Sequence, residues 1–443
     1  MGHPLYLVAG LGKTGLSVAR YLRRNNKAFI AFDTRPDAPN LVEFAAEFPD
    51  VTIYTQEIPD VVFQELTDII ASPGLSLDTP FLKQARTAGI AVYGDVECLA
   101  REIKAPVIAI TGTNGKSTVT TLVGEMAKAA GYKVAVAGNI GAPVLDMLDD
   151  AHQYDLWVLE LSSFQLDLTY SLAPVAATIL NVSPDHLDRH HTMDAYVEAK
   201  QRVYHQAEVA LFNRDDSFTR PTAKMNSISF GTDAPATEDW GLINQEGKIW
   251  LVQGSTCFLS AESVLIKGIH NWLNALAASA LADAAGIPQQ HIIKVLTTFS
   301  GLSHRCQWVR TLDGVDWIND SKGTNIGATI SAINGIGGSM QGKIVLIAGG
   351  QGKGADFNEL AQPISEFVRS IVLIGEDADK LDAALADVVP VSHATSLERA
   401  VAAAKAQAKP GDVVLLSPAC ASLDMFRDFN HRGEVFTSLV DEL

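Results

Sequence analysis

The stretch Pro106-Val107-Ile108-Ala109-Ile110-Thr111-Gly112-Thr113-Asn114-Gly115-Lys116-Ser117-Thr118 passes from an apolar run through a glycine turn into a helical pattern at residues 119–130. An apolar run without alternation suits a strand buried on both faces, as in a parallel sheet covered by helices. A strand, a glycine turn and a helix N-terminus in succession form a phosphate cradle. Backbone N–H groups converge on the anion, Lys116 reaches the outer phosphates, and Ser117 or Thr118 can ligate Mg²⁺. The spacing departs from the usual phosphate loop, because Ile110 stands where G-x-x-x-x-G-K-S has its first glycine. Gly112, Thr113, Asn114, Gly115, Lys116, Ser117 and Thr118 are candidate nucleotide contacts, but they do not make the chain a plain NTPase.

Outward from this stretch the alternation repeats on both sides. Upstream, strand-like runs at residues 5–9, 29–33, 51–54, 68–71 and 91–93 surround a helical pattern at 14–24, which implies a parallel sheet with crossover helices. Downstream, runs at 133–137, 156–160 and 176–180 lead to an alanine-rich helix at 274–285 and a last helix ending at Phe299. A third alternation has strands at 315–319, 343–348, 370–374 and 412–416 and a helix at 398–408. The expected fold class is α/β in three domains: two Rossmann-like doubly wound units flanking a central P-loop-type mononucleotide-binding domain. Residues 1–94, 95–299 and 300–443 are the expected bounds, since 443 residues exceed what one core serves.

With 47% hydrophobic and 19% charged residues the composition is globular, and no apolar run reaches the roughly 20 residues of a membrane helix. The start Met1-Gly2-His3-Pro4 lacks the basic opening and cleavage site of a signal peptide, so the expected location is the cytoplasm. A net charge of −17 argues against nucleic acid and anionic membranes as partners, so any phosphate must be gripped locally. Cys98, Cys257, Cys306 and Cys420 are scattered and read as reduced thiols.

Polar groups gather where strands end. Gly10-Leu11-Gly12-Lys13-Thr14-Gly15 follows the first strand, with Asp33 closing the next, so a diphosphate at a helix N-terminus fits; NAD and a UDP-sugar fit equally well. An NAD-dependent oxidoreductase is the rival reading of that turn, and it leaves the Gly112 to Thr118 turn unexplained. Glu160 ends the 156–160 run like a metal-binding acid. Asp185, His186 and Asp188 share one loop after the 176–180 run, where a second Mg²⁺ site competes with a purely structural histidine. Asn319-Asp320-Ser321-Lys322-Gly323-Thr324-Asn325 presents Asp320 and Lys322 after a strand, though turn chemistry alone could explain Asn319, Asp320 and Gly323.

Taken together, TGTNGKST at Thr111, LELSSFQL at Leu159, NVSPDHLDRH at Asn181, GIHNWLNALAA at Gly268, LSHRCQ at Leu302 and NDSKGTN at Asn319 resemble the Mur ligase family over nearly the whole chain. Within it, GLGKTG at Gly10, GGQGKGADF at Gly349 and SPACASLDMFRDFNHRG at Ser417 are most similar to the glutamate-adding branch. The resemblance implies a UDP-binding, an ATP-binding and an amino-acid-binding domain. It further implies a monomeric, ATP- and Mg²⁺-dependent ligase of peptidoglycan precursor synthesis that joins D-glutamate to UDP-N-acetylmuramoyl-L-alanine through an acyl phosphate. On this resemblance Lys13, Thr14, Asp33, Arg35 and Gly74 hold the uridine and diphosphate, and Asn139 and Gln165 the muramoyl-alanine part. Asn274, Arg305 and Asp320 join the Gly112 to Thr118 turn around ATP. Ser117, Glu160, His186 and a carbamylated Lys200 hold Mg²⁺, and Lys116, Glu160, His186 and Lys200 form the catalytic set. Lys322, Thr324, Lys353, Ser422, Leu423 and Phe429 receive the amino acid.

Overall fold

A computed structural model describes residues 4–38, 40–266, 268–338, 340 and 342–443; Met1, Gly2 and His3, on which the N-terminal reading above rests, lie outside the described residues. The first sheet holds β1 (Leu5–Ala9), β2 (Ala28–Asp33), β3 (Ile53–Thr55), β4 (Leu66–Ala71) and β5 (Ala91–Tyr93), all parallel, in the order β3-β2-β1-β4-β5. The order reverses between β1 and β4, and ligands of doubly wound sheets bind at the carboxyl ends of such a pair. Gly10 sits there with φ +95°, and a Cβ on it would lie 2.7 Å from Ser72 Cβ, so only glycine lets the two turns approach.

The central sheet comprises β6 (Val107–Thr111), β7 (Val134–Gly138), β8 (Leu156–Glu160), β9 (Ala176–Ile179), β10 (Val209–Asn213), β11 (Ser227–Phe230), β12 (Trp240–Gln245), β13 (Lys248–Gln253) and β14 (Thr256–Ser260). Their order is β14-β13-β12-β11-β10-β9-β6-β8-β7, with β6 in the interior and every β6 residue buried. Strands from β7 across to β12 run parallel, and β12-β13-β14 form an antiparallel meander. Strands β10 to β14 are absent from the sequence reading. The β12–β13 hairpin turns on Glu246 and Gly247, both at positive φ, and Glu-Gly is a weaker turn signal than Asn-Gly or Asp-Gly.

The third sheet holds β15 (Gln307–Leu312), β16 (Val315–Asn319), β17 (Ile344–Gly349), β18 (Val368–Ile374), β19 (Val391–His393) and β20 (Val413–Leu416), in the order β15-β16-β20-β17-β18-β19. Only the edge strand β15 is antiparallel within it, joined to β16 through Asp313-Gly314. The α/β class with Rossmann-like units on either side of a phosphate-loop unit is therefore the architecture observed. One apolar cluster spans the first two units, packing Val8, Leu16 and Val18 with Trp157, Leu159 and Ala177, whereas the clusters of the third unit contain only its own residues. Separating the third unit thus exposes less apolar surface than separating the first. Among the described residues no helix is long and apolar enough to cross a membrane.

Candidate active site

The helix Lys116–Ala129 begins at Gly115, whose φ of +82° is the left-handed value a side chain resists. Asn181, just past β9, holds the turn by imitating a strand partner: its Oδ1 accepts from Asn114 N at 2.8 Å and its Nδ2 donates to Asn114 O at 3.1 Å. Lys116 folds back over the turn, Nζ donating to Gly112 O and Thr113 O at 2.9 Å each. Burial pushes its ammonium below the ordinary lysine value, although the Glu160 charge opposes this.

Lys200, on the helix Met193–Gln201, reaches the same turn and donates to Gly112 O at 2.9 Å. It is only 2% exposed and lies 4.4 Å over the Tyr196 ring, so it is not the surface lysine its sequence position suggests. Burial, joined by the Lys116 charge, drives it well below the ordinary lysine value. Such a shift favours the uncharged, nucleophilic form of the amine. Glu160 ends β8 nearly buried; its Oε1 accepts from Asn139 Nδ2 at 2.9 Å, and its Oε2 has no hydrogen-bond partner among the described residues. A carboxylate oxygen left unpaired in the interior is costly unless a ligand completes it.

His186 stands in the left-handed region at φ +54°, its ring edge-on to Phe164 at 5.0 Å and its Nε2 3.7 Å from Asp185 Oδ2. Burial lowers its pKa, which keeps a ring nitrogen available as a ligand. Among the described residues no group of three His, Cys, Asp or Glu is placed to hold a metal ion, so a cation here needs the hydroxyl of Ser117 or the Lys200 terminus beside Glu160 and His186.

The third unit closes over these loops. Arg305 Nη2 donates to Ser117 Oγ at 2.9 Å, and Asn325 Nδ2 lies 3.4 Å from Asn114 Oδ1 and 3.3 Å from Asp185 Oδ2. Asp320 is 7% exposed and accepts from Ser417 Oγ at 2.7 Å and Cys306 N at 3.1 Å. Burial outweighs those bonds and raises its carboxyl to about 6. A cleft of about 500 Å³ is lined by Asn114, Gly115, Thr118, Asn274, Arg305 and Asp320. A second, of about 880 Å³, is bordered by Asp185, His186, Thr324 and Lys353. Lys353 Nζ is 3.9 Å from Asp185 Oδ1. Lys322 lies 3.6 Å over the Phe429 ring, with its pKa lowered to about 8 by burial and by Arg305. Ser422 is buried and Leu423 is 67% exposed.

In the first unit Lys13 and Thr14 open the helix Lys13–Arg24. Asp33 is fully buried and accepts from Leu11 N at 2.9 Å and from Arg35 N and Nε at 3.0 Å each. Burial alone would raise Asp33, but these bonds hold it below the usual carboxylate range. Asp33 thus shapes the glycine turn and anchors Arg35 more directly than it faces a ligand. Gly74 accepts from Arg189 through its carbonyl at 2.9 Å. Gln165 completes a capping box with Ser162 and is 6% exposed.

Several residues with a part in this geometry had no role in the sequence reading. Asn181 and Asn325 lie inside quoted motifs; an amide just after a strand could have marked Asn181, and an amide at a helix N-cap could have marked Asn325. Arg432 carries no such signal: it is 1% exposed and joins two loops by donating to Ser321 O and Cys420 O, at 2.9 Å and 3.2 Å. His190, with Nε2 2.9 Å from Ser163 Oγ, stacks on Phe164, and burial with the Lys200 charge pushes it down to about 4.

Comparison with known proteins gives three domain matches: Mur ligase MurD-like, N-terminal domain over residues 5–94, Mur ligase middle domain over 110–282, and Mur ligase, glutamate ligase domain over 304–420. The chain is 75% identical to UDP-N-acetylmuramoylalanine--D-glutamate ligase of Legionella pneumophila (strain Lens), covering 99% of both chains. It is 47% identical to the protein of that name in Pseudomonas aeruginosa, covering 99% of this chain and 98% of that one. Solved structures similar in fold include a pseudomurein peptide ligase type C from Methanothermus fervidus, with a TM-score of 0.65, 18% identity and coverage of 99% of this chain and 100% of that one. MurF from Acinetobacter baumannii has a TM-score of 0.62, 18% identity and coverage of 99% and 90%.

Proposed function

The chain belongs to the Mur ligase family of ATP-dependent ligases, and from that premise we propose that it joins D-glutamate to UDP-N-acetylmuramoyl-L-alanine in the cytoplasm, as a monomer, through an acyl phosphate. Residues 1–94, 95–299 and 300–443 are the proposed domains for the UDP precursor, ATP and the amino acid. The observation that carries this reading is the meeting of two clefts, one at Gly115, Asn274 and Asp320 and one at Asp185, Thr324 and Lys353, across the seam where Asn325 approaches Asn114 and Asp185. A ligase needs a nucleotide and an acceptor amine on two sides of one carboxylate, and a seam between clefts supplies that arrangement.

A carboxylate resists attack because it is negatively charged and has no good leaving group. ATP overcomes this: the muramoyl-alanine carboxylate takes the γ-phosphoryl group and ADP leaves. The glycine turn with Lys116 holds the phosphates, Lys116 exchanging its bonds to Gly112 O and Thr113 O for phosphate oxygens. Asn274, Arg305 and Asp320 line the same cleft beside that turn and complete the ATP contacts. Ser117, Glu160, His186 and Lys200 are the residues that would hold Mg²⁺, and the unpaired Glu160 Oε2 fits that assignment. Bound there, the cation would supply charge stabilisation to the transferring oxygens. Lys200, whose burial favours the uncharged amine, is suited to add CO₂ with loss of a proton and become an anionic carbamate, which offers a cation a negatively charged ligand.

Lys13, Thr14, Asp33, Arg35 and Gly74 receive the uridine diphosphate, and Asn139 and Gln165 adjoin the muramoyl-alanine end. The glutamate carboxylates fall to Lys322 and Lys353, with Thr324, Ser422, Leu423 and Phe429 around them. The neutral amine attacks the acyl carbon, and the tetrahedral adduct collapses to amide and phosphate. Water would destroy the acyl phosphate, so closure of the third unit, hinged at Gly301 with its φ of +100°, protects it. Phosphate release from ATP with the precursor and D-glutamate, L-glutamate, meso-diaminopimelate or L-lysine tests the reading. Turnover with D-glutamate alone is expected, and turnover with none of them would remove it.

A further inference from the structure

Arg189, on the four-residue helix Leu187–His190, connects the first unit to the His186 side of the site, beside His191, whose Nε2 lies 3.3 Å from Asp78 Oδ2. Its Nη1 donates to Gly74 O and its Nη2 to Leu75 O, at 2.9 Å each, with Pro73 O at 3.4 Å from Nη2. Those carbonyls belong to the turn after β4, which faces the Gly10 turn across the reversal point of the first sheet. The same guanidinium lies 4.4 Å over the Phe164 ring. Phe164 in turn meets the His186 ring edge-on at 5.0 Å and stacks against His190 at 5.3 Å. A planar fork spanning consecutive carbonyls while covering an aromatic face is geometry that arginine provides and lysine does not.

We propose that Arg189 is a positioning residue that sets the His186 ring, through Phe164, relative to the turn that receives the precursor's diphosphate. The inference rests on the ligase reading above. Its consequence is that the arrangement of the first unit's turn is felt at the reacting end of the precursor, because the guanidinium touches that turn and Phe164, and Phe164 touches the His186 ring. Each contact is short, and no flexible linker lies between them.

The test compares kcat per folded enzyme for the wild type, Arg189→Ala, Phe164→Leu and the double variant, with Arg189→Lys and all melting temperatures measured alongside. If Arg189 acts through Phe164, each single variant loses about ten-fold in kcat and the double variant loses about ten-fold as well. KM for ATP stays unchanged, and Arg189→Lys recovers little. Losses that multiply to about a hundred-fold in the double variant would show independent action and overturn the proposal. So would an unchanged kcat in Arg189→Ala, since a merely structural contact lowers the melting temperature and leaves the turnover of folded enzyme in place. Absence of turnover in the wild type would instead defeat the ligase reading itself, so the two failures are distinct.

Discussion

Replacing Asp320 by asparagine should stabilise the folded chain while weakening ATP use. Asp320 carries a carboxyl raised from its ordinary 3.8 to about 6, first by burial, and that value already includes the pull of Arg305. Because the folded-state value exceeds the unfolded one, the folded chain holds an extra proton between these values, and stability declines as pH rises through this window. At about 1.36 kcal/mol per pK unit, the ionised side chain costs roughly 1.5 kcal/mol at pH 5 and roughly 3 kcal/mol at pH 7. Asparagine mimics the protonated form: Oδ1 can still accept from Cys306 N, and Nδ2 can donate to Ser417 Oγ, whose own hydrogen can turn to Thr329 Oγ1 3.0 Å away. Urea unfolding of both proteins from pH 5 to 8 reads the difference, which should be about half its full size at pH 5 and reach a plateau above about pH 7. Steady-state kinetics should show KM for ATP rising in the same variant. Parallel stability curves across the whole pH range would refute the reasoning, because they would mean that Asp320 ionises in the folded chain as it does in the unfolded one.

Three further outcomes are expected. Gly115→Ala forces a side chain onto φ +82° and puts its Cβ 2.5 Å from Asn274 Oδ1, so it should cost about 1–3 kcal/mol in denaturant unfolding and raise KM for ATP. Lys353→Ala should raise KM for D-glutamate more than KM for ATP, and equal losses in both would sink its assignment. Lys322 holds its charge below about pH 8, so KM for D-glutamate should rise as pH increases through that value, and Lys322→Arg should flatten the profile.

Much of the core architecture was legible because its signals are local. The runs at 156–160 and 315–319 coincide with β8 and β16 to the residue, the first as an unbroken buried stretch and the second through alternating burial of Val315, Trp317 and Asn319. The helix expected at residues 274–285 in fact begins at Ile269 and ends at Ala284. Strands β12 to β14 escaped because many of their residues are half-exposed or exposed and their turns are weakly marked. In the site, the Gly112 to Thr118 turn was readable from its own residues, whereas Lys200 gave no sign of being buried.

The sequence by itself determined most of the central strands of the three sheets, where glycine must turn the chain, and which polar groups lie at their ends. Backbone sterics and side-chain periodicity act within a few residues and need no partner to be read. Only the tertiary structure decided that Lys200 lies 2.9 Å from the Gly112 carbonyl, that Arg305 crosses to Ser117, and that Asp33 is occupied by Leu11 and Arg35. Those facts depend on contacts between residues up to 188 positions apart. Desolvation and pKa follow from who the neighbours are, and neighbours at that separation are set by how sheets and loops pack rather than by any local pattern.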